Sequence, residues 1–252
     1  MLLNDIALVA ASTTRSSAYL QALVRNQLLP GCVVLLDSAG AQMPGQLRQT
    51  DTPVVERLPD ADEDCWSESA FDPALTVQEL LDCYRIPYVL APSNDLNDPA
   101  VVSLIASRPE TVFIYSGFGG VLLREPLLSC GKRFLHVHGG YLPTYKGSTT
   151  NYYSLLDGGG MGASAIFLSV EIDSGPILLR KSFPAPSVRT KIDHVYDSAA
   201  RAKVLVETLL HHLASKSWEF ELEDNEGGET YYIIHPVLKH IAILDKEAVG
   251  RK

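Results

Sequence analysis

Apolar residues in this chain fall into short runs, separated by polar turns and by stretches with helical spacing. Residues 5–11 (DIALVAA) form a continuous apolar run of strand length that stops at Ser12-Thr13-Thr14. Tyr19, Leu20, Leu23 and Val24 then recur at helical spacing, which predicts a helix over 16–27 and a second buried strand at 33–36. Strand, polar turn, helix and strand in this order form the βαβ opening of a doubly wound parallel sheet.

The same pattern continues downstream. Helices are predicted over 76–84, 99–107, 149–156 and, longest, 193–215, and strands over 88–91, 111–116 and 133–138. Residues 164–171, a turn at 172–175 and residues 177–182 read as a hairpin. Prolines, glycines and the acidic run Asp60-Ala61-Asp62-Glu63-Asp64 mark 39–71 as a solvated loop. The tail from Trp218 carries the apolar stretch 231–234 and a short helix over 237–244. The expected architecture is α/β: a Rossmann-like, doubly wound, mostly parallel sheet over 1–215, with a small C-terminal extension over 216–252. That extension is expected to pack on the domain or on a partner subunit, as in a homodimer.

Composition narrows the function classes. With 252 residues, 46% hydrophobic and 20% charged, the chain has the make-up of an ordinary globular protein. Its 21 basic and 30 acidic residues leave a net charge of −9, which argues against nucleic acid as a partner. No apolar run approaches the roughly 20 residues that span a bilayer, so no membrane association is expected. The first residues, Met-Leu-Leu-Asn-Asp, lack a basic export region, and a cytoplasmic location is expected. Cys32, Cys65, Cys83 and Cys130 are widely spaced and read as reduced thiols.

The chemistry concentrates in residues 134–176. His136 and His138 sit two apart on a predicted strand and so share a face, just before Gly139-Gly140 where an open α/β sheet places its ligand. Asp173 occupies a tight Ile-Asp-Ser-Gly-Pro turn. Taken singly, the histidines suit hydrogen-bonded strand ends and Asp173 a turn former. Together, a histidine, a carboxylate and a nearby hydrogen-bond donor equip a site for acyl transfer. A His-x-His pair also suits zinc, but further ligands would have to come from the distant His194, His211, His212 or His235, and no metal is expected.

Residues 111–147, with Gly117-Phe118, His138, Leu142-Pro143 and Lys146-Gly147, and then Asp173-Ser174-Gly175-Pro176, resemble the 10-formyltetrahydrofolate-dependent formyltransferases. That group includes glycinamide ribonucleotide transformylase, the catalytic domain of methionyl-tRNA formyltransferase and the amino-sugar N-formyltransferases. The resemblance spans about 5–210 and is tightest in the middle. It implies that His138 handles proton transfer and oxyanion stabilisation, with Asp173 controlling its protonation. It implies that Phe118, Gly119, Gly120, Val121 and Leu122, with Asp173, receive the pterin of 10-formyltetrahydrofolate, the co-substrate. One position departs from the pattern: His136 stands where the family has asparagine, and it is expected to keep the donor role through a ring N–H.

The acceptor is expected to be a small amine. Ser12, Thr13, Arg15 and Ser16 at a helix start make an anion site or an ordinary cap cluster, and Lys146 and Tyr141 are expected to add contacts. The run Gly147-Ser148-Thr149-Thr150-Asn151-Tyr152-Tyr153 is most similar to enzymes that formylate amino sugars, which points to a nucleotide-linked amino sugar. Two alternatives stay open: hydrolysis of formyltetrahydrofolate, and a non-catalytic folate- or ligand-binding relative whose site His136 has altered.

Overall fold

The computed structural model describes residues 2–36, 47–48, 70–218 and 225–244. The acidic run 60–64 and Cys65 lie outside them, as does most of the loop expected around them. The chain divides into two compact units. The first runs to His136 apart from Ala70 and also takes Phe167–Val170; the second contains Ala70, Val137–Ile166 and the described chain from Glu171 onward. Residues on both sides of the expected boundary at 215/216 belong to the second unit.

In the first unit the elements are β1 (Leu2–Ala11), α1 (Thr14–Arg25), β2 (Leu29–Leu36), β3 (Leu47–Arg48), α2 (Val77–Cys83), β4 (Tyr88–Leu90), α3 (Pro99–Ser107), β5 (Val112–Ser116), α4 (Glu125–Leu128) and the start of β6 (Arg133–His138). Their sheet order is β3-β4-β2-β1-β5-β6, parallel throughout except for the short β3. The α/β, mostly parallel fold is therefore as expected. Helix starts follow local capping: Thr13 accepts the Ser16 N–H, Thr76 and Glu79 form a reciprocal capping box, and Asp98 caps α3 ahead of Pro99. The Thr13 cap explains why α1 begins two residues earlier than its apolar spacing suggests.

β1 also starts earlier than expected, at Leu2, because Leu2 and Leu3 pair with Leu29 and Pro30 while Leu2 itself stays exposed. Backbone pairing of an exposed residue leaves no hydrophobic signature. Ala7, Val9, Val34, Val89, Phe113 and Phe134 belong to one buried cluster of this unit. Burying each of the larger side chains contributes about 1.5–3 kcal/mol.

The second unit holds the end of β6, then β7 (Tyr145–Gly147), α5 (Thr150–Leu156), β8 (Met161–Phe167, its last residue in the first unit), β9 (Ile177–Phe183), α6 (Asp197–Ser215), β10 (Glu229–Tyr231) and α7 (Pro236–Ile243). β8 and β9 form the expected antiparallel hairpin. The helix expected over 193–215 opens with a π-helical turn, Ile192–Tyr196, before α6 proper. β10 pairs in parallel with β7, a contact that the sequence pattern does not announce. Among the described residues no helix is long and apolar enough to cross a membrane. Cys32, Cys83 and Cys130 are free thiols, and burial pushes the Cys32 thiol up to about 11.

Candidate active site

In the first unit, β1 lies between β2 and β5, so the chain turns one way from β1 to β2 and the other side of β1 is filled by β5. The carboxyl ends of β1 and β5 are thus a topological switch point, where open α/β sheets form a ligand crevice. β1 runs out into Ser12-Thr13 and β5 into the loop 117–124. Ser16 is fully buried here; its hydroxyl accepts from Ala11 N at 3.2 Å and donates to Ser116 O at 2.6 Å. Thr13 is occupied as the helix cap. Two members of the expected anion cluster therefore stitch strand ends to the helix. Ser12 is exposed, and half-buried Arg15 donates from its guanidinium to Gly117 O.

The loop after β5 is held at both ends. Tyr115 donates its hydroxyl to Phe118 O at 3.1 Å. Asn97 donates to Leu122 O at 3.0 Å and accepts from Arg124 N at 2.8 Å. Between these anchors Phe118 and Val121 are half-buried, Leu122 is exposed, and no atom lies within 4 Å of where a Cβ would stand at Gly119 or Gly120. An open stretch of backbone donors and acceptors suits a flat heterocycle. Burial raises the Tyr115 phenol, partly offset by the Arg15 guanidinium, so it stays a donor. His136 pairs with Tyr115 across β5–β6, and the two rings pack at 5.6 Å between centroids.

In the second unit, His138 ends β6 and is buried. Its Nε2 lies 2.8 Å from Tyr145 O and its Nδ1 3.3 Å from Asp173 Oδ2. A carbonyl oxygen only accepts, so Nε2 carries a proton. Asp173 Oδ2 also accepts the Gly147 N–H at 2.8 Å. Both groups that fix the pair, Tyr145 O and Gly147 N, thus come from the three-residue strand β7. Asp173 itself adopts a left-handed conformation, φ 50°, which costs a non-glycine residue of the order of 1–2 kcal/mol and must be held by its surroundings.

Burial lowers the His138 imidazole, and the Asp173 carboxylate opposes that. The Arg201 guanidinium lowers it further, while the Tyr145 carbonyl and Asp197 raise it. Arg201 is fixed by donation to Val137 O at 3.0 Å and by an ion pair with Asp197 at 2.8 Å. Asn151 donates to the other Asp197 oxygen at 3.0 Å. Gly140 is required by close approach: a Cβ there would stand 2.7 Å from His138 Nε2 and 2.8 Å from Tyr145 O. The net result is a buried imidazole whose Nε2–H is held by a carbonyl and whose Nδ1 faces a carboxylate, an edge that can take up one proton.

Comparison with known proteins adds the family to this geometry. A sequence profile described as formyl transferase matches residues 5–209. The chain belongs to the formyl transferase family. A methionyl-tRNA formyltransferase of Legionella pneumophila (strain Paris) is 32% identical over 149 residues, covering 57% of this chain and 45% of the relative. This chain thus matches about half the length of that relative. A sugar N-formyltransferase from Shewanella sp FDAARGOS_354 shares the fold at TM-score 0.52 and 15% identity, covering 95% of this chain and 86% of that one. HypX from Aquifex aeolicus, in complex with tetrahydrofolic acid, shares it at TM-score 0.54 and 12% identity, covering 93% of this chain and 30% of that one.

In this member of the formyl transferase family, two residues expected to touch the acceptor make contacts within the protein. Lys146 is buried and donates its ammonium to Asn225 O at 2.8 Å. Tyr141 is half-buried under the Arg180 guanidinium, 4.8 Å from its ring centroid. Much of the hydroxyl-rich run after Lys146 is structural as well: Thr150 donates to Gly139 O, Asn151 holds Asp197, and Tyr152 donates to Asp193 at 2.8 Å. His212 stacks on Trp218 and contacts Ser217 O, and His235 caps α7, so each serves its own element. Tyr145, Asn225, Asp197 and Arg201 were not legible as site residues, because Tyr145 acts through its backbone carbonyl, Asn225 lies far along the chain, and the other two lie on a helix with ordinary amphipathic spacing.

Proposed function

We propose that this chain transfers a formyl group from 10-formyltetrahydrofolate to the amine of a small anionic acceptor, a nucleotide-linked amino sugar. The observation that carries this reading is the buried His138–Asp173 pair, with Nε2 committed to Tyr145 O and one proton to exchange on the other edge. The co-substrate supplies the formyl carbon attached to a nitrogen leaving group. The amine attacks that carbon and must lose a proton; the departing nitrogen must gain one. A His–Asp edge that starts with Nδ1 and the carboxylate both unprotonated accepts the first proton, shares it between them and returns it to the departing nitrogen in the second step.

His136 takes the family's asparagine position on the same face of β6, and its ring N–H is suited to meet charge developing on the formyl oxygen. The 117–122 loop, with its open glycine backbone, suits the pterin. Ser12 and Arg15 at the switch point suit an anionic part of the acceptor. The net charge of −9 supports a small acceptor over tRNA, and the fold shared with a named sugar N-formyltransferase supports an amino sugar. A cytoplasmic setting goes with this reading. The expected homodimer draws support from Tyr232, Ile233 and Val237, all exposed on the segment around β10 and α7.

The test is incubation with 10-formyltetrahydrofolate and a panel of amino-sugar nucleotides, following tetrahydrofolate release and product mass. One formyl mass gained by one acceptor, lost in Asp173→Asn, is the expected result. Folate release without formylated product would replace this reading with hydrolysis, and binding without release would replace it with a ligand-binding role.

A further inference from the structure

The family profile stops at residue 209, yet a segment beyond it lies along the catalytic loop. Glu229, Thr230 and Tyr231 of β10 register against Tyr145, Lys146 and Gly147 of β7. Glu229 N donates to Thr144 O, and Ser148 N donates to Tyr231 O at 2.8 Å. Just before β10, Gly228 has φ +77°, and a Cβ there would stand 1.6 Å from Pro143 O, so only glycine lets the segment approach this closely. β7 is the strand whose Tyr145 O and Gly147 N hold His138 and Asp173.

Asn225 opens this segment. Its Nδ2 donates to Asp173 O at 2.8 Å and to Gly175 O at 2.6 Å, and its own carbonyl accepts Lys146 Nζ. Its side chain is buried, and its Oδ1 has no hydrogen-bond partner among the described residues. Burying an amide with one end unsatisfied is unfavourable, so the two donations are what the position requires. One falls on the backbone of Asp173, which is held in the left-handed conformation, and the other on Gly175 two residues on.

We infer that Asn225 is a positioning residue of the active site: its amide holds the 173–175 turn and so sets where the Asp173 carboxylate stands against His138. The inference rests on the reading of His138 and Asp173 as the catalytic pair. Without the amide, the turn relaxes and the carboxylate retreats from Nδ1. Arg201 and Asp197, which also act on His138 from α6, are left in place, as is the carbonyl of Tyr145.

The test is the titration of His138 in the full chain, followed by NMR of 15N-histidine-labelled protein and assigned with His138→Gln. In Asn225→Ala the midpoint is expected to fall by about half a pH unit or more, because the carboxylate that raises it has moved. Formyl transfer is expected to lose about tenfold or more in kcat with the co-substrate KM unchanged. A folded Asn225→Ala protein, with wild-type circular dichroism and Tm, whose His138 titrates as in the parent would overturn the inference. Should that variant not fold, Asn225→Ser is read in the same way. If the parent shows no formyl transfer, the functional reading fails by itself, and the titration still decides the role of Asn225.

Discussion

His138 Nδ1 lies 3.3 Å from Asp173 Oδ2, and the same carboxylate oxygen accepts the Gly147 N–H at 2.8 Å. The oxygen that meets the imidazole is thus fixed by backbone. Asp173→Asn keeps the shape of the turn but removes the atom that shares the proton. It is expected to lower kcat by about 10²–10⁴-fold. His138→Asn should cost about as much, and the double variant little more, because the two act as one unit. Transfer rates check this.

Stability should depend on pH through His138. Its folded value lies below the ordinary 6.5, so the unfolded chain binds more protons in the acid range. Stability is therefore fully present above the unfolded value and declines as pH falls below about 6.5 towards the folded one. Urea unfolding across pH 5–8 should show this slope, and His138→Gln should flatten it.

Gly140→Ala places a methyl against His138 Nε2 and Tyr145 O. The hydrogen bond between them has to open, and kcat is expected to drop by about 10²-fold, the usual scale for a misplacement of about 1 Å. Circular dichroism and transfer kinetics on the variant check this, and a folded Gly140→Ala protein with the parent's kcat would show that the close contact is not needed.

Asn97→Ala removes both anchors at the far end of the 117–124 loop. Losing this support should raise the co-substrate KM by about three- to tenfold, the worth of one ordinary hydrogen bond, with kcat close to the parent. A kcat loss with unchanged KM would remove the loop from the folate site.

His136→Asn restores the family residue. If the imidazole serves as a hydrogen-bond donor, transfer persists, with any loss well below the ~10²-fold cost of deleting such a donor. Abolished transfer would show that the imidazole does chemistry that an amide cannot.

Much of this architecture is readable from the chain. β6 and α3 occupy the ranges that hydrophobic spacing predicts, because each is bounded by a clear change of pattern. His138 and Asp173 were legible because a histidine at a strand end and an acid in a Gly-Pro turn each leave a local mark. Their partners were not. Tyr145 and Gly147 act through main-chain atoms, which no side-chain pattern encodes, and Asn225 meets Asp173 from 52 positions away. Lys146 and Ser16 are polar residues that face inward, which hydropathy alone assigns to the surface.

The parallel pairing of β10 with β7 also sets an order of events during synthesis. Lys146 and Asn225 are 79 positions apart, so a nascent chain that has emerged only through α6 contains His138, Asp173 and all of β7 but no strand to lay beside β7. Long-range pairings of this kind close late, since the loop between them must be ordered first. The growing polypeptide thus holds β7 without a neighbouring strand until residues 229–231 have emerged, and the order of β7 waits on a segment made well after it.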